Sequence, residues 1–156
     1  MEKNEIAENL KKLGISFGDV PMPGGSYVAV NIRGNIAYVA IQFPIKEGKF
    51  FFTGRLGKEV TTEEGYQAAK LAATNILGQI DKYVGFDRIV GLNHADIIYQ
   101  ADKDWDEGPH VADGASDLFL SVLGDLGKHT RAISGVDKLP RDHSVAITTS
   151  FTIKDK

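Results

Sequence analysis

The sequence predicts an α+β fold, one mixed sheet with two long helices packed on one of its faces. Three observations predict it. Two segments, near residues 62–84 and 109–123, repeat apolar residues at helical spacing. Several shorter segments are apolar or alternate apolar with small polar residues, as strands do. Their order is two strands, helix, strand, helix, two strands, so each long helix can return onto the same sheet. At 156 residues, positions 1–156 are expected to form a single domain with its own core.

Residues 5–13 carry Ile6, Leu10 and Leu13 at helical spacing and end at Gly14, which predicts a short N-terminal helix. Pro21, Pro23 and the Gly24-Gly25 pair make residues 16–25 an extended loop. Residues 27–31 and 36–43 read as strands joined by a tight turn at Arg33-Gly34-Asn35. Residues 49–53 would add a short edge strand. Thr61 and Glu64 have the spacing of a capping box, and Ala69, Ala73, Ile76, Leu77, Ile80 and Val84 then form one stripe. Residues 89–99 predict a strand, broken or twisted near Asn93-His94. Pro109 suits the first turn of the second long helix, which Gly124 ends. A strand around Arg131, a turn at Pro140-Arg141-Asp142 and an alternating strand over 144–153 complete the chain. The sheet face opposite the helices would show Ala146, Thr148 and Ser150, a surface suited to cover by another subunit.

Composition narrows the chemistry. A net charge of −3 gives no general attraction to phosphate backbones, which disfavours nucleic acid as a partner. The absence of cysteine removes disulfides, thiolate metal sites and thiol nucleophiles. The polar start and the lack of a long apolar run predict a cytoplasmic protein without a membrane partner. His94, His110, His129 and His143 show no metal-ligand spacing, and the Asp102–Glu107 acidic run lacks the glycine and closing glutamate of a calcium loop. No metal or cofactor is expected.

Arg131 stands out, one arginine among small and apolar residues in His129-Thr130-Arg131-Ala132-Ile133-Ser134-Gly135-Val136. Its guanidinium needs an anion or water, and its planar fork suits a carboxylate. That anion is either a small ligand or a structural partner such as Asp137 or a neighbouring subunit's carboxylate. His129 would share its sheet face as a solvated strand-end residue, or sit at a cleft rim. Trp105 would be a lid or a subunit contact.

Three stretches in order resemble the reactive intermediate deaminase (Rid, or YjgF-like) superfamily. These are Tyr27 with the strand pair ending Gln42-Phe43-Pro44, then Gly114-Ala115-Ser116-Asp117-Leu118-Phe119, then the Arg131 stretch with Leu139-Pro140. Thr62-Glu63-Glu64-Gly65-Tyr66-Gln67-Ala68-Ala69 also fits, and the likeness extends from about residue 27 to 153. The N-terminal helix and the Gly-Ala-Ser-Asp motif resemble a longer branch labelled endoribonuclease-like.

The resemblance implies a chorismate-mutase-like fold, a homotrimer and small-ligand clefts between subunits. It implies that Arg131 grips the carboxylate of a 2-imino or 2-enamino acid, helped by backbone amides around Ile133, with Tyr27 lining the cleft. Three positions depart from the deaminating pattern. The water-positioning glutamate falls on Thr148, a candidate to hold that water by a hydrogen bond, though it cannot act as its base near neutral pH. The glycine of the cleft wall is Ile41, and the helix asparagine aligns with Gly114. The expected function is therefore binding of a small carboxylate, with hydrolysis of imines to 2-oxo acids and ammonia as the enzymatic version. A non-catalytic metabolite-binding trimer is the alternative. An endoribonuclease is disfavoured by the acidic charge and by the lack of a paired acid and base.

Overall fold

A computed structural model describes residues 2–155. Its main sheet is mixed, with β1 (Val30–Arg33), β2 (Ile36–Gln42), β5 (Ile89–Gln100), β6 (Thr130–Val136) and β7 (Val145–Ile153) in the order β1-β2-β7-β5-β6. The β5–β6 pair is parallel, while β1–β2, β2–β7 and β5–β7 are antiparallel. Two long helices, α2 (Thr62–Tyr83) and α3 (Gly108–Leu123), supply the core that covers one sheet face. This is the predicted α+β architecture.

The helix starts follow their sequence signals. Thr61 accepts from the Glu64 amide while Glu64 accepts from the Thr61 amide, a complete capping box. Pro109 lies in the first turn of α3, where its missing N–H costs nothing. The N-terminal helix α1 (Lys3–Lys12) starts two residues before the predicted segment and buries Ile6 and Leu10. Asn9 Nδ2 donates to the Val122 carbonyl at 3.0 Å, which ties α1 to the end of α3.

The strands depart from prediction in informative ways. β1 starts at Val30, so Tyr27 belongs to the preceding loop, where its amide donates to Gly25 O and its hydroxyl accepts from Gly24 N. The 49–53 segment does not join the main sheet. Its first two residues form β4 (Lys49–Phe50), paired only with β3 (Ile45–Lys46). The predicted break in β5 is present as register shifts on either side of Leu92. Between Val39 and Gln42, β2 spends three steps where β7 spends two, so Ala40 and Ile41 together face Thr148. That bulge bends the strand end nearest the Pro21–Tyr27 loop.

Register fixes the faces. Ala95 pairs with both Arg131 and Thr149, so all three point towards the helices. Asp96 pairs with Ala132 and Thr148, which point to the open face. No helix among the described residues is long and apolar enough to cross a membrane.

Candidate ligand-binding site

Arg131 occupies the helix side of β6, with about a quarter of its side chain exposed. It donates Nη1–H to Asp113 Oδ1 at 2.7 Å and to Ser116 Oγ at 3.0 Å. Asp113 and Ser116 lie one turn apart on α3, the i, i+3 spacing that puts two side chains on one helix face. Ser116 continues to His129 Nε2 at 3.0 Å, and His129 Nδ1 reaches the Gly127 carbonyl at 2.6 Å. A carbonyl only accepts, so Nδ1 carries the imidazole proton and Nε2 accepts from the serine hydroxyl. The relay runs from Arg131 through Ser116 and His129 to the backbone of the α3–β6 connection.

This network corrects two expectations. The carboxylate that meets Arg131 within the chain is Asp113, not Asp137, whose backbone carbonyl accepts from Arg55 instead. His129 is half-buried, edge-on to Phe119, and both ring nitrogens have protein partners; it is not a solvated strand end. Among the described residues nothing accepts from Arg131 Nε or Nη2, so one edge of the fork keeps its donors.

The other expected residues fall into separate places. Gly114 lies where α3 crosses α2, and a Cβ there would stand 2.1 Å from the Tyr66 carbonyl oxygen. Helix–helix contact alone thus accounts for the glycine. Ile133 is partly buried against the core on the same face as Arg131. Thr148, on the opposite face, lies 3.4 Å from Asp96 Oδ2. Asp96 also meets His94 Nε2 at 3.1 Å, and His94 Nδ1 meets Thr130 Oγ1 at 2.7 Å. Arg131 and Thr148 of one chain therefore cannot act on the same small molecule.

Tyr27 and Ile41 do come together. They line a cavity of about 280 Å³ at the bulged end of β2, with Phe50, Gln42, Arg141 and His143. Two other hollows, of about 530 and 840 Å³, run along the residue 14–22 loop and contain none of the expected residues. Gln42 is buried and faces α2, where its Oε1 lies 3.3 Å from Gln79 Nε2. His143 is 2% exposed, stacked on Phe43 with centroids 4.5 Å apart and tilted against Phe50 at 4.7 Å. Its Nδ1 is buried with no partner. Burial pushes the imidazole below its ordinary pKa, against an upward pull from Asp142.

Sequence reasoning treated Pro140-Arg141-Asp142 only as a turn, and so missed that Arg141 and His143 flank a cavity. The signal lay in two ionisable side chains, two positions apart, at the entry to a central strand. Asp113 was missed as a partner although its i, i+3 spacing to Ser116 was readable. Trp105 packs within the chain and is partly buried. Its Nε1 donates to Thr62 Oγ1 at 2.9 Å and its ring lies edge-on to Tyr99 and over Gly57. No group of three or more His, Asp or Glu side chains assembles as a metal site among the described residues.

A five-stranded mixed sheet with two helices on one face, and a small cavity beside a bulged strand, defines the class. The chain belongs to the YjgF-like (Rid) superfamily. The family model described as "YjgF/chorismate mutase-like, putative endoribonuclease" matches residues 8–151. Among its relatives is Protein TCP17 of Trypanosoma cruzi, 33% identical over 144 residues, covering 91% of this chain and 90% of that one. The crystal structure of protein Atu1372 from Agrobacterium tumefaciens is 33% identical with a TM-score of 0.88, covering 97% and 94% of the two chains. The crystal structure described as "a putative endoribonuclease" from Shewanella oneidensis is 28% identical with a TM-score of 0.91, covering 94% and 98%. RidA from the Antarctic bacterium Psychrobacter shares the fold at 17% identity and a TM-score of 0.56, covering 86% and 94%.

Proposed function

We propose that this protein binds a small carboxylate-bearing metabolite in a cleft at the interface of a homotrimer, without turning it over. One observation carries the reading. Tyr27 and Ile41 line a preformed cavity, while the groups that would drive hydrolysis are dispersed or already engaged. The cavity has apolar walls and a few polar side chains, the usual make-up of a small-ligand site. Arg131 is paired with Asp113, and Thr148 is no base. Assembly into a trimer is supported by the open sheet face, which carries Thr148, Ser150 and the half-exposed Tyr38. In such a trimer the spare Nε–Nη2 edge of Arg131 can serve a neighbour's cleft.

The test combines binding with turnover. Light scattering should give the mass of a trimer, and pyruvate, 2-oxobutyrate or benzoate should raise the melting temperature. Ile41→Trp, which fills the cavity, should abolish that rise. Ammonia release from 2-iminopropionate should match the buffer rate. A rate clearly above buffer, lost in Arg131→Ala, would make the protein an imine hydrolase instead. No melting shift with any of the three acids would end the binding reading.

A further inference from the structure

We propose that the hollow between the residue 14–22 loop and α2 is a second ligand site, separate from the Tyr27–Ile41 cavity, and that it takes an aromatic carboxylate carrying a ring N–H. Asn75 accepts from that N–H, and Lys70 meets the carboxylate.

The core side of α2 is taken by Ala68, Ala69, Ala72, Ala73 and Ile76, all fully buried. Gln67, Lys70, Leu71, Thr74 and Asn75 form the neighbouring strip, and their i, i+3, i+4, i+7, i+8 spacing makes it one continuous face. This face floors a hollow of about 530 Å³, within the size range of small-molecule sites. The 14–22 loop forms the opposite wall and is held at both ends. The Ile15 amide donates to Leu10 O at 2.9 Å, and Gln79 Nε2 donates to Pro21 O at 2.8 Å. Val20 packs so closely on α2 that a Cβ at Gly78 would stand 2.5 Å from Val20 Cγ1. Phe51 and Phe52 line a third side, and Phe52 holds a left-handed φ of 56°, a conformation that its surroundings must impose. The walls are in place before any ligand arrives.

Asn75 gives the sign of a missing partner. Its residue exposure is only 8%. Both of its N–H donors are spent, on Phe43 O at 3.0 Å and Ile45 O at 2.8 Å, which fixes which end of the amide is the oxygen. Oδ1 accepts from nothing among the described residues, yet it is not sealed, and keeps accessible surface where Asn75 lines the hollow. Polar atoms this deep are nearly always hydrogen-bonded. An open acceptor in a hollow that Ile15, Leu71 and Phe51 also line calls for a donor carried on an apolar body.

Charge is divided across the site. Lys46 and Lys70 form no ion pair among the described residues, and of the three hollows they line this one alone. Asp19 and Glu47 stand on the border with the 840 Å³ hollow, which they also line. The α2 side is therefore the positive one, and Lys70 is half-buried there beside apolar surface. An unpaired ammonium in that setting favours an anionic group over a neutral one of the same shape. Residues 70 and 75 lie about 7.5 Å apart along the helix axis. A fused bicyclic ring with a one-carbon acid arm spans that distance, its N–H at Asn75, its acid at Lys70 and its flat faces against the aromatic and aliphatic walls.

Indole-3-acetate, indole-3-acetamide and 1-benzofuran-3-acetate separate charge, donor and shape, and calorimetry on the intact protein reads all three. Wild type should bind indole-3-acetate best. The benzofuran keeps the outline but replaces the N–H with an ether oxygen, so it should bind about tenfold more weakly, with Oδ1 of Asn75 left unpaired. Because the change is made in the probe, Asn75 keeps its two structural hydrogen bonds. Lys70→Gln removes a charge that has no partner in the chain. It should weaken indole-3-acetate about threefold and leave the acetamide within about twofold. Thr74→Phe, or Leu71→Trp as an independent variant, fills the hollow and should abolish binding of all three, while Ile41→Trp fills the other cavity and should change none. Equal affinity for the indole and benzofuran acids would remove Asn75 from the site, and an unchanged Lys70→Gln would remove the charge. Failure of wild type to bind indole-3-acetate overturns the proposal, as does binding that survives both hollow-filling variants or is lost in Ile41→Trp.

Discussion

Gly114→Ala is the most direct test of whether this position serves packing or ligand. A Cβ at residue 114 would lie 2.1 Å from the Tyr66 carbonyl oxygen, 2.9 Å from its carbon and 3.2 Å from its Cα. All three are backbone atoms of α2, so no rotamer change relieves the contact. Reaching an ordinary 3.4 Å separation requires the helices to part by about 1.3 Å. Overpacking of this kind costs about 1–3 kcal/mol and more where backbone must move. Alanine returns about 1 kcal/mol of helix propensity. The expected net loss is about 2 kcal/mol, or a fall in melting temperature of about 5 °C for a chain of this size. Circular dichroism melting of wild type and variant measures it. Gly65→Ala is the internal comparison, because there the new methyl meets only side-chain carbons of Leu56 and Val111, at 2.6 and 2.9 Å. Those can rotate away, so the loss should be smaller. A Gly114→Ala protein that melts at or above wild type would refute the packing argument.

Two further outcomes follow from the site. In a double-mutant cycle, Arg131→Ala and Asp113→Ala should show a coupling of about 1 kcal/mol, modest because Asp113 is half exposed to solvent; additive single effects by denaturant unfolding would show that the 2.7 Å contact contributes nothing to stability. The second concerns pH. His143 has a lower pKa folded than its ordinary 6.5, so on acidification the unfolded chain takes up the proton first. Stability from this group is complete above 6.5 and is lost as pH falls towards the depressed folded value. His143→Phe should flatten the melting temperature across that interval, and a slope unchanged by the substitution would assign the acid sensitivity to other groups.

Much of the fold was legible because period and punctuation agree. The α2 stripe, its Thr61–Glu64 box and the Gly124 stop were each local, and local signals survive folding unchanged. The β7 alternation was equally direct. What could not be read was which strand neighbours which, and hence which face a residue shares. Arg131 and Thr148 look like partners along the chain, yet one points to the helices and the other away, a consequence of their pairing with Ala95 and Asp96. Tyr27 looked like a strand residue because apolar residues follow it, but the Gly24-Gly25 segment keeps the backbone out of the ladder until Val30. His143 carried no motif at all. It is packed by Phe43 and Phe50, 100 and 93 positions earlier in the chain.

The bulge in β2 has a meaning for how such a site changes over time. Ala40 and Ile41 share a single opposing residue, so one of them is already surplus to the ladder. Exchange of the side chain at 41 alters the cavity wall without disturbing the pairs at Val39 and Gln42 that hold the sheet. Elsewhere in this strand a new side chain must satisfy both the core and the neighbouring strands. At the bulge it answers chiefly to the cavity it lines, which makes this the point where the wall can be reshaped while the same scaffold is inherited.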